Sequence, residues 1–392
     1  MDRAASKKFL AKEGIPLFDY VVQPNDTIYS ITRLFGITTA QLLALNPEIA
    51  DRNLTVGQTL RISEQRAVRP TIEVNGFTYP WIDATALALT LPYLTYLSIS
   101  GYLITPDGLL LGFDETGVIE AARNRAVAPL MVVSNALADG TFFSDLAHAV
   151  LSDAEQYQAL ILQIVAILKA KNYYGVNINF EVSPPDLFSF AEFLQVLTSH
   201  LRPLGYLLIV SSRISILLDE QQLLRSVDEL FPFNNMMDRL LLRSSGWACA
   251  YRFGGPSYID ELQQAIDFAV QLISSPKILI SIPNCCYDWR LTGQQSELYH
   301  VLSSAQADAL VSHTGGVFRI DPRSRTSHFT YVDANGYFHE VLCEIDTNLR
   351  APLDLIETYN LGGVSFRNID DFSIISYQMV SAMFEIRKLI SV

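Results

Sequence analysis

The chain has 392 residues, 49% of them hydrophobic and 18% charged, and carries a formal net charge of −13 at pH 7. It is too long for one small domain and too apolar for a disordered chain, and fits two globular domains, one with a large core. An acidic balance of this size argues against nucleic acid or an anionic membrane surface as partner.

Six histidines (His148, His200, His300, His313, His328, His339) are scattered with no pair at metal-ligand spacing, so no metal and no cofactor is expected. The four cysteines (Cys249, Cys285, Cys286, Cys343) are few for the length, and adjacent Cys285 and Cys286 rarely bridge each other. Reduced, buried thiols are expected rather than a disulfide framework. The opening MDRAASKKFLAKEG lacks the apolar core of a secretory signal, and no run of 18 or more apolar residues would span a membrane. The expectation is synthesis in a cytoplasm, with any later address reached by another route.

Residues 1–18 read as a polar lead-in. Asp19-Tyr20-Val21-Val22-Gln23 predicts a strand, and Pro24-Asn25-Asp26-Thr27 a turn and N-cap for a helix with Ile28, Ile31 and Leu34 on one face. A second helix carries Leu42, Leu43 and Leu45 and ends at Asn46-Pro47; Leu54–Ile62 returns as a strand. This unit, 19–63, resembles a LysM domain through Tyr20-Val21-Val22, Asp26-Thr27-Ile28, Ile31, Phe35-Gly36, Leu42, Leu45-Asn46-Pro47 and Val56-Gly57-Gln58-Leu60. The resemblance implies binding of N-acetylglucosamine-containing glycans such as peptidoglycan or chitin, with Asp26, Thr27, Ile28, Asn46 and Pro47 as the candidate contacts. A single small, shallow site of this kind binds weakly.

After a polar linker (64–69), strands and helices alternate through residues 70–392. Candidate strands are 71–77, 96–102, 129–134, 175–182, 207–212, 239–244, 278–282 and 363–366, with helical patterns such as 116–125, 153–171, 186–201 and 258–273 between them. Eight such repeats favour an α/β (β/α)8 TIM barrel over an open sheet, with its functional groups at the strand C-termini. Between the seventh and eighth strands, 290–350 breaks the alternation. A helix at 304–313, strand-like runs at 327–332 and 337–345, and Asn335-Gly336 as a hairpin signal predict a small α+β insertion walling one side of the barrel mouth.

The fourth strand, Tyr174-Gly175-Val176-Asn177-Ile178-Asn179-Phe180-Glu181, is the informative stretch. With period 2, Val176, Ile178 and Phe180 point one way and Asn177, Asn179 and Glu181 the other. A polar row ending in a carboxylate on a strand otherwise built for burial is costly unless something uses it. The order of strands and this stretch resemble glycoside hydrolase family 18, in particular the branch of LysM-bearing spore-cortex and germination N-acetylglucosaminidases. Other matching stretches include Ile72-Glu73-Val74-Asn75-Gly76, Ala128–Asn135, Lys277–Pro283, Tyr287-Asp288-Trp289, His339-Glu340-Val341 and Leu361–Val364.

That resemblance implies Glu181 as the general acid and a reaction in which the substrate's own 2-acetamido oxygen attacks the anomeric carbon. It also marks departures. Asn179 stands where the family has an aspartate that holds the acetamido N–H, Ser245 where it has a tyrosine, Arg367 where it has a tryptophan, and Ser100 where it has an aromatic. Candidate substrate contacts are Asn177, Tyr174, Tyr102, Asn135, Arg243, Ser245, Trp247, Tyr287, Trp289 and Arg367, with Glu181 and Asn179 as the catalytic pair. Two readings stay open: a weakened N-acetylglucosaminidase of peptidoglycan or chitin-like glycans at the spore or cell wall, or an inactive glycan-binding or spore-coat protein.

Overall fold

The computed structural model describes residues 17–22, 26–28, 31–32, 35, 37, 39–49, 54–63, 69–105, 107–136, 142–213, 234–243, 258–282, 285–292, 295–320, 327–343, 349–369 and 374–391. The chain divides into two compact units between Pro70 and Thr71.

In the first unit β1 (Leu17–Val21) and β2 (Thr59–Ser63) pair antiparallel, from Leu17 opposite Ser63 to Val21 opposite Thr59. Helix α1 (Thr39–Leu45) packs Leu42 into a core with Val22, Ile31, Ile37, Ile49, Leu60 and Ile62. Asn46, expected at a glycan, instead holds the unit together. Its amide donates to the Leu42 and Arg61 carbonyls (2.9 and 2.7 Å) and accepts the Arg61 N–H (2.6 Å), tying the helix end to β2.

The second unit is a closed barrel. Its strands are β3 (Thr71–Thr78), β4 (Tyr96–Ile104), β6 (Ala128–Ser134), β7 (Gly175–Asn179), β8 (Leu207–Arg213), β9 (Arg239–Arg243), β10 (Ile278–Ile282) and β16 (Gly363–Phe366). All eight pair in parallel in that order, and β16 returns to β3 with Gly363 opposite Glu73. A short β5 (Leu110–Leu111) folds back on β4. Between the strands run α2 (Ala84–Thr90), α3 (Thr116–Arg123), α4 (Ser144–Leu151), α5 (Ala154–Ala170), α6 (Leu187–Leu201), α7 (Tyr258–Leu272) and, after the insertion, α9 (Arg350–Tyr359). Asp83 and Asp153 cap α2 and α5 by accepting backbone N–H groups, and α5 buries Leu160, Ile161, Ile164 and Leu168 on one stripe. Helix α10 (Ile374–Met383) and strand β17 (Glu385–Ile386) follow β16. Gly175 opens the fourth barrel strand because any Cβ there would lie 2.2 Å from the Leu207 carbonyl oxygen.

The fourth strand was expected to run to Val182 and stops at Asn179. Its ladder with β6 ends at Ser134 opposite Asn179 and that with β8 at Val210 opposite Ile178, so neither described neighbour pairs with the residues beyond.

The barrel interior is layered. At the floor, Glu73 (3% exposed) accepts both Arg239 Nε (2.5 Å) and Nη2 (2.6 Å) and the Tyr96 hydroxyl (2.8 Å). Burial first, then the Glu73 charge, pushes the Tyr96 hydroxyl far above its usual range. Halfway up, five strands contribute a hydrogen-bonded chain. Ser211 donates to Asn177, Asn177 to Ser98, Ser98 to Asn75 and Asn75 to Ser365, at 2.8 to 3.2 Å.

The insertion is a five-stranded sheet in the order β12 (Gln295–Ser303), β11 (Cys285–Thr292), β15 (Phe338–Cys343), β14 (Ser327–Val332), β13 (Arg319–Ile320), with α8 (Ser304–Thr314). It starts at Cys285, before the expected 290, and the β11–β12 hairpin was not anticipated. The Asn335-Gly336 turn forms as read, with Gly336 at φ 82°. The cysteine expectation needs correction: Cys286 and Cys343, directly opposite on β11 and β15, form a disulfide. The two lie 57 residues apart in sequence, a separation that hid their pairing. By chain entropy, closing a loop of that length stabilises by about 4 kcal/mol.

Removing the floor carboxylate while keeping its arginine should be severe. Glu73→Ala is expected to lower unfolding free energy by about 3 kcal/mol, because Arg239, whose side chain is only 20% exposed, then loses its carboxylate partner; a denaturant midpoint close to wild type would contradict this.

Candidate active site at the barrel mouth

Glu181 lies just past the C-terminal end of β7, where barrel proteins keep their reactive groups. Its side chain is 37% exposed, and Arg243 Nη2 at the end of β9 stands 3.9 Å from its Oε2. The Arg243 guanidinium lies over the Phe142 ring at 4.5 Å and is itself 13% exposed. A planar guanidinium on an aromatic face is held in orientation as well as in place. One step below Glu181 on the same inward row is Asn179, whose Oδ1 is buried and has no hydrogen-bond partner among the described residues. A buried acceptor left unmet costs about 1–3 kcal/mol, so this oxygen has capacity to take a donor beyond the described residues. Asn177, a step lower, spends its amide on Ser98 and Ser211 and is fully buried; it belongs to the interior chain rather than to the mouth.

Asn135 was expected to face a substrate and does not. Its Oδ1 accepts the Glu181 backbone N–H, and its Nδ2 donates to the Glu181 and Phe143 carbonyls, each at 2.9 Å. Tyr102 also departs. Counting by twos from Tyr96 puts it inside the barrel, but the β4–β6 register shifts between Ser100 and Tyr102, and Tyr102 pairs with Val133. It therefore faces outward, donating to Glu115 at 2.6 Å beside Tyr173 and Lys171. Tyr174 sits before the first residue of β7, at the opposite end of the strand from Glu181, against Leu130, Ile209 and Leu241. The strand between is about 16 Å long, so Tyr174 is not at the mouth.

Arg367 follows β16 on the inward row of Ser365 and is exposed. Tyr287 and Trp289 lie on β11 of the insertion, on the face opposite Cys286 and Asp288. Tyr287 is buried, while Trp289 is half-buried, with its indole N–H enclosed and unpartnered among the described residues. Ser245 and Trp247 lie outside the described residues. In the first unit Asp26 accepts the Tyr20 hydroxyl at 2.6 Å, Thr27 accepts the Ile31 N–H through its carbonyl, Ile28 packs on the core, and Pro47 is exposed.

One feature was missed in the sequence. Tyr79 and Trp81, immediately after β3, stack at 5.0 Å between ring centroids, and Phe113 meets Trp81 edge-on at 5.5 Å. Trp81 is 66% exposed and Phe113 50%. Aromatics flanking Pro80 at the C-terminal end of a barrel strand were the available signal. Among the described residues, no group of three or more His, Cys, Asp or Glu side chains could hold a metal, and no helix is long and apolar enough to cross a membrane.

The segment leaving Glu181 is anchored by Asp186, which accepts from His148 Nδ1 at 2.5 Å. That hydrogen bond, then the Asp186 charge, raises the His148 pKa above its usual 6.5. A raised histidine contributes stability in full below the unfolded value, and the contribution is lost as pH rises through the folded one. An NMR titration should therefore place the His148 midpoint above 6.5, and His148→Ala should flatten the pH dependence of stability across that window; a midpoint below 6.5 would contradict the pairing.

Comparison with known proteins bears on both units. Residues 20–63 match the LysM domain. YdhD of Bacillus subtilis (strain 168), provisionally named a sporulation-specific glycosylase, is 27% identical over 356 residues, covering 89% of this chain and 84% of that protein. The spore cortex-lytic enzyme SleL of Bacillus cereus superposes with a TM-score of 0.75 at 24% identity, over 94% of this chain and 87% of that one. A chitinase from Chromobacterium violaceum superposes at 0.67 with 25% identity, over 80% of this chain and 98% of that one.

Proposed function

We propose that this chain, a LysM domain joined to a family 18-like glycoside hydrolase barrel, cleaves N-acetylglucosaminides in peptidoglycan of the spore cortex or cell wall, or in a chitin-like polymer. The observation that carries the reading is the pair at the C-terminal end of β7: a carboxylate just past the strand at the mouth, and one step below it the acceptor of Asn179, unmet among the described residues. In this reading the substrate's acetamido N–H donates to Asn179 Oδ1, which turns the acetamido oxygen toward the anomeric carbon. Glu181 protonates the departing glycosidic oxygen, and its carboxylate then activates the water that opens the oxazoline, with net retention. The exposed Tyr79–Trp81–Phe113 ledge offers ring faces for sugars further along the chain. The LysM domain would hold the enzyme on its polymer, raising the local concentration of cleavable bonds. The named activities of the SleL and YdhD relatives support a spore or cell-wall address.

Asn179 is neutral where a carboxylate would oppose the developing cationic ring. Exchanging a charge-assisted hydrogen bond for a neutral one loses roughly 1–2 kcal/mol, so catalysis is expected to be slow. The second reading, a glycan-binding protein without turnover, is favoured by Arg243 beside Glu181 together with the neutral Asn179.

Incubation with spore-cortex fragments and chitooligosaccharides separates the two. Wild type should release reducing ends and Glu181→Gln should not; equal release by both sinks the hydrolase reading. Asn179→Asp should raise kcat on the order of tenfold. Trp81→Ala should weaken binding of long oligosaccharides by about three- to tenfold with little effect on a disaccharide, measured by calorimetry on the Glu181→Gln background; an equal loss for both lengths would remove Trp81 from the glycan path.

A further inference from the structure

We infer that Asn135 is the positioning residue that aims Glu181, acting through the backbone on which the carboxylate is carried. The inference rests on Glu181 serving as the acid. Past Asn179 the parallel ladder has ended on both strands, β6 at Ser134 and β7 at Asn179, yet the reactive side chain comes two residues later. Backbone at that point would be left to water and loop motion. Instead the Asn135 side chain, fully buried, stands in for the missing rung: it accepts the Glu181 N–H and donates to the Glu181 carbonyl, both at 2.9 Å. A primary amide can do this because it presents an acceptor and two donors in one plane, as a peptide group does.

Its second donor reaches the Phe143 carbonyl at 2.9 Å, and the Phe143 N–H returns to the Asn135 carbonyl at 3.0 Å. Phe142 beside it carries the ring under Arg243, and Arg243 faces Glu181 at 3.9 Å. The contacts thus run from Glu181 through Asn135 and the 142–143 segment to Arg243 and back to Glu181. One buried amide is bonded to the backbone of Glu181 and to the segment whose Phe142 ring lies under Arg243. The Glu181 side chain is 37% exposed, and its origin is set by the backbone that Asn135 holds.

Leaving-group chemistry tests this. A natural glycosidic oxygen needs a well-placed acid, whereas a nitrophenolate departs without one. Asn135→Ala and the near-isosteric Asn135→Asp, which keeps the acceptor and loses both donors, are compared with wild type on a chitooligosaccharide and on 4-nitrophenyl N-acetylglucosaminide. Expected are a fall in kcat of about a hundredfold on the oligosaccharide, little change in KM, and a loss under about tenfold on the aryl glycoside. Adding either Asn135 change to Glu181→Gln should cost nothing further on the aryl glycoside, the substrate whose leaving group departs without the acid. Parallel losses on the two substrates, or losses that persist on the Glu181→Gln background, overturn the inference while leaving the hydrolase reading intact. No cleavage of either substrate by wild type would instead overturn the acid role of Glu181, and this inference with it.

Discussion

Once β16 pairs with β3, every second side chain of eight strands is committed to one enclosed column, and each polar group there must find its partner inside it. The column meets that constraint from the bottom upward. Glu73 and Arg239 neutralise each other at the floor, and the amide and hydroxyl chain from Ser211 to Ser365 satisfies the middle without any charge. Against those two settled layers, the unmet Asn179 oxygen and the half-open Glu181 stand out at the top. The same closure that stabilises the barrel thereby concentrates its unused polar capacity at the mouth.

Asparagine does much of the joining. Asn46 ties a helix end to a strand in the first unit, Asn177 links Ser98 to Ser211 across the barrel, and Asn135 extends a strand ladder beyond its last backbone rung. In each place the amide replaces a peptide group where the chain supplies none. All three are residues that a reading of motif positions assigns to sugars. A short amide suits a sugar and a peptide group equally well, so residue type alone does not separate the two uses.

The eight strands were legible because each is a short run of buried aliphatic residues between turn signals, and a parallel sheet covered on both sides leaves just that trace. The 278–282 and 363–366 strands agree with the structure at both ends. Glu181 was legible because polar side chains on a strand of otherwise buried neighbours violate the pattern. Tyr102 was misread because one bulge reverses the facing of everything after it, and period 2 carries no mark of a bulge. The disulfide was invisible because its cysteines meet only when β11 and β15 are paired across 57 residues of intervening chain.

The sequence by itself determined which residues are buried in each strand, the order of the alternating elements, and the presence of a carboxylate over two amides on one inward row. Those follow from local periodicity, which a chain carries whether or not it is folded. Only the tertiary structure decided which amides are spent and which is open, that Tyr174 lies at the wrong end of the barrel, that Arg243 meets Glu181, and that Tyr79, Trp81 and Phe113 form one ledge. These depend on contacts between strands far apart in sequence, and such contacts exist only after the sheet has closed.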